Sequence, residues 1–305
     1  MKTLTIAYIN FWKIDKNDDY YFTKFIEKNN IGKVEIVNYT DNPDILFCSC
    51  LDDYNYVEFK EIKNIKSKSK IFFYGENLNF CKPYNDDNLL YDTFDLIVGF
   101  KSTDLSKKQI RFPLWLLYYD YYNYDENDNI LNYIQSKYTE NINLHKNMFA
   151  TIVCRHGAGG KREKIFNELA NYGVIMSPGK FMNNTEPIGS TSKDKIDYIK
   201  YGLYNICLEN SSFEGYFTEK IFQAFEAGTI PLYWASDLPE QDIINKNKYC
   251  FCNINNEDSF KKSINDAATE PMKYIEGDLF TPDASKHLKH FYDTLIERIT
   301  YYLNE

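Results

Sequence analysis

The stretch Tyr204–Trp234, reading YNICLENSSFEGYFTEKIFQAFEAGTIPLYW, constrains the fold more than any other part of the chain. It opens with a short apolar run, Asn205–Leu208, of strand length. A polar, glycine-containing loop, Glu209–Gly215, follows. Thr218 stands where an N-cap belongs, with Glu219 and Lys220 in the first turn of a helix. Ile221, Phe222, Ala224, Phe225 and Ala227 supply a wide apolar face, and Gly228 is placed to stop that helix. Thr229–Trp234 returns as a β-branched and aromatic strand with Pro231 inside it. Such a strand–loop–helix–strand unit is the part from which parallel α/β sheets are assembled.

In parallel sheets, ligands sit beyond the carboxyl ends of the strands, against helix N-termini. That position holds Glu209, Asn210, Tyr216, Glu219 and Lys220. A carboxylate for sugar hydroxyls, an aromatic for a base and an ammonium for phosphate would together suit a nucleotide sugar. Taken one by one, the same residues also read as a solvated loop with a capping Glu and a snorkelling Lys. The string as a whole resembles the donor-binding segment of the α1,3/1,4-fucosyltransferases of bacterial type, glycosyltransferase family 10. The resemblance rests on Leu208-Glu209-Asn210, on Tyr216-Phe217-Thr218-Glu219-Lys220, and on a helix that ends before the Pro-containing strand.

Other segments extend it. Tyr74-Gly75-Glu76-Asn77 follows the apolar run Lys70–Tyr74, and the family carries its catalytic base in such a Gly-Glu-Asn. LTIAYINFW at 4–12 resembles the family's first strand, and DLIVGF with RFPLWLLYY resembles a strand and a Pro-aromatic segment. Arg162 matches a family arginine that contacts the donor diphosphate, although Arg155-His156 replaces the family's Ser-Asn just upstream. HGAGGKR at 156–162 is no P-loop, because Arg155 stands where its first Gly belongs and Arg162 replaces the Ser/Thr. Lys161 and Arg162 nevertheless place cations at a helix start, which is unfavourable unless an anion binds there.

The resemblance implies an α/β protein of GT-B architecture, two Rossmann-like domains facing across a cleft. It implies an N-terminal acceptor-binding domain at 1–146 and a C-terminal GDP-fucose-binding domain at 147–280. An amphipathic helix at 281–305 completes the chain, with Leu288, Phe291, Leu295, Ile299 and Tyr302 on one face. Asp120–Asn147 has no clear period and reads as a linker. The implied activity is transfer of L-fucose from GDP-fucose to a GlcNAc or Glc hydroxyl of a glycan such as N-acetyllactosamine, with inversion and most simply as an α-1,3 linkage. Glu76 is the expected base. Arg162, Glu209, Asn210, Tyr216, Glu219 and Lys220 are the expected donor contacts, and Phe11 and Trp12 the candidate acceptor contacts. No Asp-x-Asp occurs, and Gln223 stands where the second Glu of the retaining E-x7-E pattern would fall. Metal-free inverting transfer is therefore expected, with no cofactor beyond the donor. Roles in lipopolysaccharide or protein glycosylation would follow. A different inverting GT-B transferase, and a non-catalytic carbohydrate-binding protein of the same fold, are the competing readings.

Composition sets the remaining bounds. A net charge of −9 without a broad basic face argues against nucleic acid as partner. No apolar run reaches membrane-spanning length, which leads to a soluble cytoplasmic chain or a catalytic fragment, with peripheral membrane contact only through the terminal helix. Seven cysteines leave one unpaired in any disulfide scheme, as in a reducing compartment. The C-x-C pairs Cys48/Cys50 and Cys250/Cys252 lie in strand patterns with no His nearby and read as buried thiols rather than zinc ligands.

Overall fold

The computed structural model describes residues 2–11, 20–50, 56–122, 125 and 129–304. Two compact units emerge, Met1–Asp125 with Leu288–Glu305, and Glu126–His287.

The first unit is built on a six-stranded parallel sheet in the order β2-β1-β3-β4-β5-β6. The strands are β1 Thr3–Ile9, β2 Lys33–Ile36, β3 Ile45–Cys48, β4 Ser69–Phe73, β5 Leu96–Gly99 and β6 Gln109–Arg111. β3 and β5 are buried along their whole length. Strands covered by helices on both faces read as continuous apolar runs, which is why KIFFY and DLIVGF stand out in the sequence. Helices α1 Tyr21–Lys28, α2 Phe59–Asn64 and α3 Asp87–Thr93 belong to this unit. Gly99 must lack a side chain, since a Cβ there would stand 2.3 Å from the Tyr74 ring.

The second unit has a five-stranded parallel sheet in the order β11-β10-β9-β7-β8. Its strands are β7 Met148–Thr151, β8 Ile175–Met176, β9 Gly202–Ile206, β10 Ile230–Tyr233 and β11 Cys250–Phe251. Its helices are α4 Ile130–Ile142, α5 Lys161–Leu169, α6 Ser192–Ile199, α7 Glu219–Glu226, α8 Glu257–Thr269 and α9 Met272–Ile275. Ile152, Ile165, Leu169, Tyr204, Ile206, Leu208, Leu232 and Trp234 are among the residues of one buried core. Pro231 is tolerated because β11 pairs only with Leu232 and Tyr233, so its missing N–H breaks no ladder bond on that side. The strand order reverses direction between β7 and β9, and in an open α/β sheet that crevice is where ligands bind.

Two expectations are corrected. The boundary expected at 146/147 falls at 125/126, because the presumed linker contains α4, and α4 packs on α7. Tyr133 Oη donates to Glu226 Oε1 at 2.8 Å and Asn141 Nδ2 to the Glu226 carbonyl at 2.8 Å. The terminal helix α10, Ala284–Asn304, is no separate segment either. Leu288, Leu295 and Ile299 are fully buried, and Tyr292 stacks on Phe25, so the apolar stripe packs into the first unit. The segment Leu238–Asn245 is tied by backbone bonds to the segment before α10, with Thr281 N donating to the Ile243 carbonyl and Asn245 N to that of Leu279. Among the described residues no helix is long and apolar enough to cross a membrane.

Candidate active site

At the crevice between β7 and β9, the loop after β7 and the loop after β9 meet. Gly160, with φ +85°, turns the chain into α5 and brings Arg162 into the first helical turn. Arg162 is 3% exposed. Its Nη1 donates to the His156 carbonyl at 2.7 Å and lies 3.4 Å from His156 Nδ1. Its Nη2 donates to the Leu208 carbonyl at 3.0 Å and to Asn210 Oδ1 at 2.9 Å. The structure thus joins Arg162 and Asn210, two expected donor contacts that are 48 residues apart. Lys161 is not part of this cluster, because its ammonium lies over the Trp234 ring.

Glu209 departs from its expected role. It is fully buried, and each carboxylate oxygen already accepts two hydrogen bonds. Oε1 takes Thr218 N at 2.8 Å and Tyr233 Oη at 2.7 Å, while Oε2 takes Thr218 Oγ1 at 2.7 Å and Lys220 Nζ at 3.1 Å. Such a carboxylate has no acceptor capacity left for a ligand, so Glu209 is a strut between β9, β10 and the start of α7. Thr218 stands at the N-cap position as expected, yet its hydroxyl serves Glu209 instead of the helix. Tyr216 is 1% exposed, so its ring is a core residue here rather than a platform for a base.

Lys220 is more open. Its Nζ also donates to Thr218 Oγ1 at 2.8 Å and lies 3.7 Å from Glu219 Oε1. Burial works against ionisation of Glu219, but Lys220 and then Lys195 outweigh it and hold the carboxyl below its ordinary range. His156 is also lowered, chiefly by burial and then by Arg162 and Lys220. Its Nδ1 accepts from Ala158 N at 3.3 Å, which leaves the neutral ring with its proton on Nε2.

Glu76 lies in the first unit, three residues beyond β4 and half-buried. Asn77 beside it caps a short 3-10 turn, accepting from Asn79 N at 3.0 Å. The Cys50 and Cys81 thiols are its neighbours: their mutual hydrogen bond, burial and the Glu76 charge together push the Cys50 thiol up. Phe11, expected at the acceptor, is 7% exposed and packs among Tyr8, Phe22 and Phe73, so it is core. Trp12 lies outside the described residues. Among the described residues no group of three or more His, Cys, Asp or Glu side chains is placed to hold a metal ion.

Sequence reasoning missed one member of the cluster. Lys195 on α6 reaches across to α7, donating to Gln223 Oε1 at 2.9 Å. Burial lowers its pKa, against the opposing pull of Glu219.

Comparison with known proteins bears on the family and the fold. The sequence model of the glycosyltransferase family 10 (fucosyltransferase) C-terminal domain matches residues 142–270, which include every residue of the cluster just described. The Helicobacter pylori alpha-(1,3)-fucosyltransferase FucT is 24% identical over 242 residues, covering 71% of this chain and 46% of FucT. The chain therefore spans about half the length of that relative. A crystal structure of an alpha1,3-fucosyltransferase superposes with a TM-score of 0.68 at 19% identity, covering 99% of this chain and 92% of the other. An alpha1,3-fucosyltransferase with GDP gives 0.64 over the same shares, also at 19% identity. One with GDP-fucose gives 0.61, covering 97% of this chain and 91% of that one, again at 19% identity. Residues 142–270 thus match a glycosyltransferase family 10 (fucosyltransferase) domain model, and the fold is the GT-B fold of those structures.

Proposed function

We propose that this protein is an inverting fucosyltransferase that takes GDP-fucose as donor and a GlcNAc- or Glc-type hydroxyl of a glycan as acceptor, with α-1,3 regiochemistry. The observation that carries the reading is the cationic cluster at the β7/β9 crevice, with Arg162 held on the Leu208 carbonyl and Asn210 and Lys220 on the buried Glu209, in a segment that matches the family 10 domain model. FucT of H. pylori is named for the same linkage, and the two ligand-bound structures hold GDP and GDP-fucose.

In this reading Arg162 and Lys220 receive the diphosphate, and Asn210 and the His156 carbonyl give up their hold on Arg162 as phosphate oxygens take their place. Both cations then stabilise charge that grows on the departing GDP, the task a metal ion performs in other transferases. Glu219 accepts from the ribose hydroxyls. Glu209 contributes indirectly, by holding Lys220 and the first turn of α7. Glu76 removes the acceptor proton as the hydroxyl attacks the anomeric carbon. Fucose is β-linked in the donor, so a single displacement yields the α product.

The experiment is NMR of the product formed from GDP-fucose and N-acetyllactosamine. An α-linked fucose on O3 of GlcNAc is expected. Transfer only from another nucleotide sugar would make this a different GT-B transferase, and glycan binding without turnover would make it a carbohydrate-binding protein.

A further inference from the structure

We propose that Lys195, on α6, is a positioning residue of the donor site that secures Glu219 for the nucleoside part of the ligand through its anchor on α7. The inference rests on the donor reading above and goes beyond it, since nothing in the recognised motifs points to α6.

The geometry begins with Gln223, which follows Glu219 by one helical turn, so the two side chains share a face of α7. Lys195 Nζ is fixed on that face by its 2.9 Å bond to Gln223 Oε1. The N-terminus of α6 is closed by a capping box, in which the Thr191 side chain accepts from Asp194 N and Asp194 accepts from Thr191 N. The ammonium interacts electrostatically with Glu219 first, and also with Lys220, Cys207 and Glu209.

Charge balance supports the role. Glu209 and Glu219 are two carboxylates, and Lys220 is in ion-pair contact with both. With Arg162 as the only further cation, the group would carry no net charge and would hold a diphosphate poorly. Lys195 leaves one positive charge in excess. The excess sits on a partly buried ammonium, where screening by solvent is weak. Lys195 also competes for Glu219. With its side chain present, Lys220 need not satisfy Glu219 alone.

The test uses the full chain and calorimetric binding of GDP and of 2′,3′-dideoxy-GDP, which lacks both hydroxyls that Glu219 would receive. Lys195→Met should weaken GDP binding on the order of tenfold, as for loss of one charge-assisted contact, and Lys195→Arg should restore most of it. The ratio of GDP to dideoxy-GDP affinity cancels titration of the phosphates and of His156, so its pH dependence reports Glu219. In the unaltered protein this preference should persist below the ordinary glutamate range, because the Glu219 carboxyl is held low. In Lys195→Met it should disappear at a higher pH, since Glu219 loses a cation while Lys220, Thr218 and Glu209 remain. Lys195→Gln gives the same readings if the Met variant does not fold. Unchanged GDP affinity together with an unchanged acid limb would show that Lys195 is only a strap between α6 and α7. If the unaltered protein binds neither guanosine nucleotide, the donor reading itself falls and this inference with it.

Discussion

Lys220 Nζ and Glu209 Oε2 lie 3.1 Å apart, the only lysine–carboxylate pair among the described ion pairs in which the carboxylate is fully buried. The pairing explains how a first-turn lysine, set against the helix dipole, is held in one place to meet a diphosphate. Glu209 supplies the compensating charge from beneath, and Thr218 supplies an oxygen from the side.

Lys220→Ala is therefore expected to act twice. GDP affinity should fall by on the order of 10–100-fold, the worth of a charge-assisted hydrogen bond of about 1.5–3 kcal/mol. Stability should fall as well, by about 1–3 kcal/mol, because Glu209 is left buried without its cation while retaining Thr218 and Tyr233. Calorimetry with GDP and urea unfolding measure the two separately. Loss of stability with unchanged GDP affinity would make Lys220 a partner of Glu209 and nothing more.

Gly228 makes a second, purely structural prediction. Its φ is +63°, and an added Cβ would stand 2.4 Å from the backbone N of Ile142 at the end of α4. Gly228→Ala combines a left-handed backbone with a clash against backbone, so it should cost at least about 1–3 kcal/mol in urea unfolding. An unaffected midpoint would mean that α4 does not rest on this turn as closely as the geometry requires.

The same contact shows what could be read from the sequence and what could not. α5, β9, α7 and β10 were legible because each announces itself locally, as an apolar run, a glycine turn or stop, or a cap. Arg162, Asn210, Glu219 and Lys220 were legible as a motif. α4 was not, since Ile130, Leu131, Ile134 and Tyr138 are its only buried residues among Asn, Tyr, Gln and Lys, and its position is secured by Gly228 and Glu226 far along the chain. Glu209 looked like a ligand contact because its acceptors are filled by Thr218, Lys220 and Tyr233, nine to 24 residues away. Lys195 was not legible, because only the packing of α6 beside α7 brings it to Gln223, 28 residues on.

A third prediction concerns metals. Arg162 and Lys220 supply the neutralising charge in the proposed mechanism, so fucose transfer should be unaffected by EDTA and should not rise on adding Mn2+. Activity lost on chelation and restored by Mn2+ would require metal ligands beyond this cluster. The rate at saturating GDP-fucose, with and without chelator, decides the matter.

Glu76 carries the last prediction. It stands beyond the carboxyl end of β4, where parallel sheets present their reactive groups, and it is half-buried beside Cys50 and Cys81. If it takes the acceptor proton, Glu76→Gln keeps the shape of the side chain and removes its basicity. Turnover should then fall by about 10²–10⁴-fold, the usual contribution of a general base. Affinity for GDP should stay the same, because the residues proposed to hold the diphosphate, Arg162 and Lys220, belong to the other unit. Replacing both neighbouring thiols, Cys50→Ser with Cys81→Ser, should leave most of the activity, since neither sulfur takes part in the proton transfer. Rate and affinity must be measured on the same Glu76 variant. Near-normal turnover would move the base elsewhere, and His156, with its ring neutral at ordinary pH, would be the next residue to test. Lost GDP affinity would instead show that Glu76 supports the structure rather than the chemistry.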